Sequence, residues 1–160
     1  VYKRQRLRRA GEKIKADNPL TTQDLDIGFR VFKVDSSNMN DVYYSAGEYS
    51  QDMLVNLEDN IKPDRTDLDL LFGCLLDWGL PISLPYTSEQ IENCTVHTYN
   101  DGDLVACFDE NIPESVIKEI AKRKPLRAVF RDAGFGSSPE KINVTEIFKM
   151  LAPDTDVKVI

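Results

Sequence analysis

The chain has 160 residues, 41% of them hydrophobic and 29% charged, the balance of one globular domain or of one with a small appendage. Its longest uncharged apolar run, Leu70 to Leu76, is bounded by Asp69 and Asp77 and falls far short of the ~20 residues a membrane span needs; the basic N-terminus also lacks the apolar segment of a signal peptide. The net charge of −7 is unevenly spread: residues 1–15 carry seven bases against one acid (+6), and residues 16–160 carry 13 bases against 26 acids (−13). An acidic body cannot grip a phosphate backbone through its net field, so any nucleic-acid contact falls to the basic arm. A chain opening on Val1 reads as a piece of something larger.

Residues 3–16 are expected to be a helix, with Leu7, Ala10 and Ile14 as a thin apolar stripe among the bases, ended by Asn18-Pro19. Gly28 to Val34 alternates imperfectly, with Phe29, Val31 and Val34 against Arg30 and Lys33, and reads as a strand. A helix from Ser50 to about Asn60 follows. Thr66 with Asp69 three residues on resembles a capping box opening another helix, whose Leu68, Leu71, Phe72, Leu75 and Leu76 form an apolar stripe widened by Leu70 and Cys74, with Gly79-Leu80-Pro81 closing it. Such a helix is central to a core, and its Leu68, Leu71, Phe72 and Leu75 are also candidates for an interface.

Beyond it, Thr95–Tyr99 and Asp103–Phe108 read as a hairpin around Asn100-Asp101-Gly102. Then come a helix at Pro113–Lys124, a strand at Leu126–Arg131, a Gly-rich turn, a helix at Pro139–Leu151 and a strand at Asp156–Ile160. The fold class is therefore α/β: a mixed sheet with a β-hairpin and a C-terminal parallel β-α-β-α-β unit, plus the N-terminal basic helix and two further helices. Residues 1–16 are assigned to a basic linker helix and 26–160 to a single domain.

Cys74, Cys94 and Cys107 are odd in number and form no CxxC pair, which suits a reduced cytoplasmic setting. Cys94-x-x-His97 with Cys107 presents three zinc-ligand types, but strand alternation puts Cys94 and His97 on opposite faces, so the cysteines are read as buried small hydrophobes and no metal is expected. His97, the only histidine, is read as a partly exposed strand residue. Arg131-Asp132-Ala133-Gly134-Phe135-Gly136 lies where a cofactor loop would lie, yet a plain strand-to-helix turn explains it. Asp109, Glu110 and Asp132 fall at carboxyl ends of neighbouring strands, where Mg²⁺ could support phosphoryl transfer through Asp109 and Asp132. Arg4, Arg6, Arg8, Arg9 and Lys13 are candidates for DNA or interdomain contact, and a stand-alone DNA-binding module is a further alternative.

Taken in order, Arg6–Lys15 (RLRRAGEKIK), Asp26–Asn38 (DIGFRVFKVDSSN), Asp69–Pro81 (DLLFGCLLDWGLP), Val129–Phe135 (VFRDAGF) and Lys141–Lys149 (KINVTEIFK) resemble the C-terminal region of type III restriction–modification methylation subunits, which are bacterial adenine-specific DNA methyltransferases. The resemblance implies a parent that moves a methyl group from S-adenosylmethionine to adenine N6 of a flipped base. It places that parent's Asp-Pro-Pro-Tyr and Phe-x-Gly-x-Gly loops upstream of RLRRAGEKIK; at Pro85-Tyr86, Leu84 stands in the polar position and the second proline is missing. No catalytic, cofactor-binding or metal residue is therefore expected in this chain. The partners implied are a second methylation subunit, the restriction subunit and, through the parent, DNA.

Overall fold

The computed structural model describes residues 2–40, 60–135 and 138–160; the helix expected at 50–60 lies, but for its last residue, outside them. The chain forms two compact units, Val1–Asp35 and Ser36–Ile160. In the first, helix α1 spans Tyr2–Asp17 and ends where Asn18 donates to Ile14 O, as Pro19 requires. Downstream, Ile27 lies on Gly11: a Cβ at residue 11 would stand 2.8 Å from Ile27 Cβ, so the close approach needs glycine. The strand expected over 28–34 is not formed, and those residues run as irregular backbone. Alternation yields a strand only where a neighbouring strand takes up the backbone N–H and C=O groups, and this unit supplies none among its described residues.

The second unit is a five-stranded mixed sheet. Its elements are α2 (Asp67–Asp77), β1 (Tyr86–Ile91), β2 (Cys94–Tyr99), β3 (Leu104–Cys107), α3 (Glu114–Lys122), β4 (Arg127–Phe130), α4 (Ser138–Leu151) and β5 (Asp156–Val159). The strands lie in chain order, β1-β2-β3-β4-β5. The β1–β2 and β2–β3 pairs are antiparallel, and the β3–β4 and β4–β5 pairs are parallel. The hairpin, the parallel β-α-β-α-β unit and the mixed sheet are thus as the sequence predicts. The hairpin turn carries positive φ at Asn100, Asp101 and Gly102.

Strand β1 was not anticipated. YTSEQI carries four exposed residues in its middle, because it forms an edge with water on one side, and an edge strand has no need of apolar alternation. The inner strands do alternate. Leu104 and Ala106 of β3 and Val129 of β4 enter one apolar layer with α2, while Val105, Cys107, Ala128 and Phe130 enter the other with α3 and α4. Helix α3 buries Val116, Ile117, Ile120 and Ala121, and α4 buries Val144, Ile147 and Phe148, each set at helical spacing.

Helix α2 opens as its capping box predicts: Thr66 N donates to Asp69 Oδ2 at 2.9 Å and Asp69 N to Thr66 Oγ1 at 3.4 Å. Its buried face differs from the expected stripe. Leu70, Leu71, Cys74 and Leu75 are buried, whereas Leu68 is 37% and Leu76 65% exposed. The face is turned by about 100°, one residue's rotation. A helix apolar over most of its girth leaves its facing arc to its neighbours. Here Leu70, Leu71, Cys74 and Leu75 join the sheet's apolar layer, and Asn38 Nδ2 donates to Asp69 O at 2.8 Å and packs at Gly73.

Candidate functional site

The sequence draws attention to the carboxyl ends of β3 and β4, where α/β folds place ligands. There Asp109 and Asp132 take separate partners. Lys141 Nζ lies 2.7 Å from both carboxylate oxygens of Asp132. Asp109 Oδ2 accepts from Thr95 N at 2.5 Å and stands 3.8 Å from Cys107 Sγ. Glu110 is exposed. The ligand-type cluster that contains Asp109 is completed by Cys94 and Cys107 and does not include Asp132. The paired-carboxylate arrangement for phosphoryl transfer is therefore not what brings Asp109 its neighbours.

The turn after β4 is a short 3-10 segment, Asp132–Gly134. A Cβ on Gly134 would meet Asp109 O and Ile112 Cδ1, each at 2.9 Å, and Gly134 O accepts from Ile112 N at 2.9 Å. The glycine lets two loops touch; it does not open a cradle for a cofactor. The described glycine of this turn thus serves the packing of the two loops.

Beside the turn, a cavity of about 370 Å³ lies between α3 and α4. Ile112, Ile117, Phe135, Val144 and Ile147 supply its apolar wall, and Asn111, Glu114, Glu140 and Asn143 its polar lining. Sequence reasoning missed this space, because it arises from how far apart two amphipathic helices sit and no single motif encodes that spacing.

The cysteines divide between the two faces of the sheet. Cys74 is buried on the α2 side, and Cys94 and Cys107 on the α3–α4 side. Burial pushes the Cys74 thiol up to about 11 and the Cys107 thiol up to about 12. Cys94 is raised by burial and then by the negative charge of Asp109. His97 faces away from Cys94, as strand alternation predicts, but it is buried (4% exposed) where a partly exposed residue was expected. The unforeseen strand β1 accounts for this: Ser88 is the register partner of His97, and its Oγ lies 2.8 Å from His97 Nδ1. On the other side of the ring, Nε2 stands 3.5 Å from Asp67 Oδ2, too far for a strong hydrogen bond, and the ring tilts against Phe108.

Arg4, Arg6, Arg8, Arg9 and Lys13 are all exposed on α1. Of the interface candidates, Leu71 and Leu75 are fully buried, in line with the core reading of this helix. Phe72 is half-buried, edge-on to Tyr86, and Leu68 alone stands at the surface. No helix among the described residues is long and apolar enough to cross a membrane. No family model, curated protein or solved structure matches this chain.

Proposed function

We propose that this chain is a noncatalytic assembly segment of a type III restriction–modification methylation subunit, a cytoplasmic adenine-N6 DNA methyltransferase whose S-adenosylmethionine and base-binding loops belong to the rest of the parent. One observation carries the reading beyond the resemblance of the sequence blocks. Among the described residues, nine of the fifteen exposed large apolar side chains, Leu7, Ile14, Leu20, Phe29 and Val34 among them, belong to residues 2–35, and none of residues 2–35 is buried. A basic, apolar segment without a core of its own is suited to being covered by another body. The resembling block RLRRAGEKIK and all but the last three residues of DIGFRVFKVDSSN lie in this segment, and the two meet at Gly11 and Ile27. The acidic α/β unit, by contrast, buries its own helices and suits a scaffold for a second methylation subunit or for the restriction subunit.

The test is methyl transfer from radiolabelled S-adenosylmethionine to duplex DNA. The chain alone is expected to transfer nothing. Mixed with the upstream half of a type III methylation subunit, it is expected to form a complex on size exclusion and to support transfer, and Leu7→Glu with Ile14→Glu should abolish both. Transfer by the chain alone, or a mixture that neither associates nor methylates, overturns the reading. Exposed Arg4, Arg6, Arg8 and Arg9 also suit phosphate contact within the parent, which would appear as a shallower salt dependence of DNA binding when they are replaced by alanine.

A further inference from the structure

We propose that Cys94, Cys107 and Asp109 form a binding site for a thiophilic divalent cation of the zinc class. The site is independent of the methyltransferase reading and stands on geometry. One donor atom from each of the three residues lies within 4.8 Å of the other two. A tetrahedral zinc site with metal–sulfur bonds of ~2.3 Å and metal–oxygen bonds of ~2.0–2.2 Å has sulfur-to-oxygen edges of ~3.5–3.7 Å. The separation of Cys107 Sγ from Asp109 Oδ2, 3.8 Å, is close to such an edge.

The backbone explains why the three converge. The antiparallel register sets Val96 opposite Cys107, so Cys94 is diagonal to Cys107 and, continuing the same register, opposite Asp109. Cys94 and Cys107 therefore share the α3–α4 face, while His97 is turned to the other. Asp109 is held from two sides. Thr95 N donates to its carboxylate at 2.5 Å, and its carbonyl lies against Gly134, where even a Cβ would intrude at 2.9 Å. A backbone amide that orients a ligating carboxylate is the kind of outer support that metal sites carry.

The donor set selects the ion. Two sulfurs and one carboxylate oxygen suit zinc, cadmium or cobalt(II) and disfavour Mg²⁺ and Ca²⁺, which take oxygen ligands. Both thiols are buried and Asp109 is partly exposed, so an ion enters from the Asp109 side. Three protein ligands leave the fourth tetrahedral position to water. On binding, each thiol gives its proton to solvent, two metal–sulfur bonds form, and no electron is transferred.

The experiment is anaerobic titration of the reduced, chelator-stripped full chain with Co²⁺. The expected result is a near-ultraviolet thiolate-to-cobalt charge-transfer band that saturates at one equivalent and is bleached by Zn²⁺. The band should persist in Cys74→Ser, vanish in Cys94→Ser and Cys107→Ser, and require at least about tenfold more cobalt in Asp109→Asn. Should the core variants fail to fold, thermal unfolding of the unaltered chain decides: its midpoint should rise with the logarithm of Zn²⁺ concentration and not respond to Mg²⁺. A missing band, a band that survives loss of Cys94 and Cys107, or a midpoint indifferent to Zn²⁺ overturns the site. So does a Cys94–Cys107 disulfide formed with hydrogen peroxide in a chain that shows no cobalt band when reduced.

Discussion

Among the described residues of 36–160 the apolar side chains of three helices and five strands bury one another in two layers, whereas along residues 2–35 Leu7, Ile14, Leu20, Phe29, Val31 and Val34 remain in solvent. Both stretches carry apolar residues at helical or alternating spacing. What separates them is a second surface. The sheet offers each helix an apolar face, while α1 buries none of its residues. Periodicity thus predicts which side chains are ready for burial, and only a partner surface buries them.

The sharpest way to break the contrast is inside the core. Phe130 is fully buried with Phe135 and Phe148 around it, so Phe130→Ala should cost about 3–5 kcal/mol in urea unfolding. Next comes a pair on one helix. Leu71→Ala should cost about 2–5 kcal/mol, and Leu68→Ala less than about 0.5 kcal/mol. Equal losses would show that α2 presents the arc its sequence stripe suggests and not the one described.

A smaller effect is expected at the cap of α2, where Thr66→Ala should cost about 1 kcal/mol. This term depends on pH. Hydrogen bonds from Thr66 hold the Asp69 carboxyl below its ordinary value of 3.8. Its contribution is therefore complete above that value and is lost as pH falls through the lowered one. The stability difference between the native chain and Thr66→Ala should accordingly shrink in strong acid, as measured by denaturant unfolding at several pH values.

The smallest global effect belongs to the coreless segment. Gly11→Val drives a side chain into Ile27 and should speed amide exchange over 25–29, while moving the unfolding midpoint of the α/β unit by less than about 0.5 kcal/mol. In the unaltered chain, limited trypsin digestion should cut among Arg4–Lys33 before it cuts at Arg127 in β4 or at Arg131 just after it. A cut inside the sheet that came first would mean that residues 2–35 are the better protected region.

Several elements were legible from the chain alone. Turn chemistry at Asn100–Gly102, the Thr66/Asp69 box and the apolar spacings of α3 and α4 act over three to eight residues, so local sequence determined the hairpin, the helix starts and the parallel βαβαβ unit. Alternation alone also determined that Cys94 and His97 would part company across the sheet. Tertiary structure decided the rest. Strand β1 exists because β2 offers it an edge, and the segment at 28–34 is no strand because no described strand takes up its backbone. The apolar layer of the sheet took in one arc of α2, and register across two antiparallel strands, in concert with a tight loop at Gly134, drew Cys94, Cys107 and Asp109 to one point. Those three residues span sixteen positions of sequence with no recognisable ligand spacing, since the distance that matters is measured across the sheet and not along the chain.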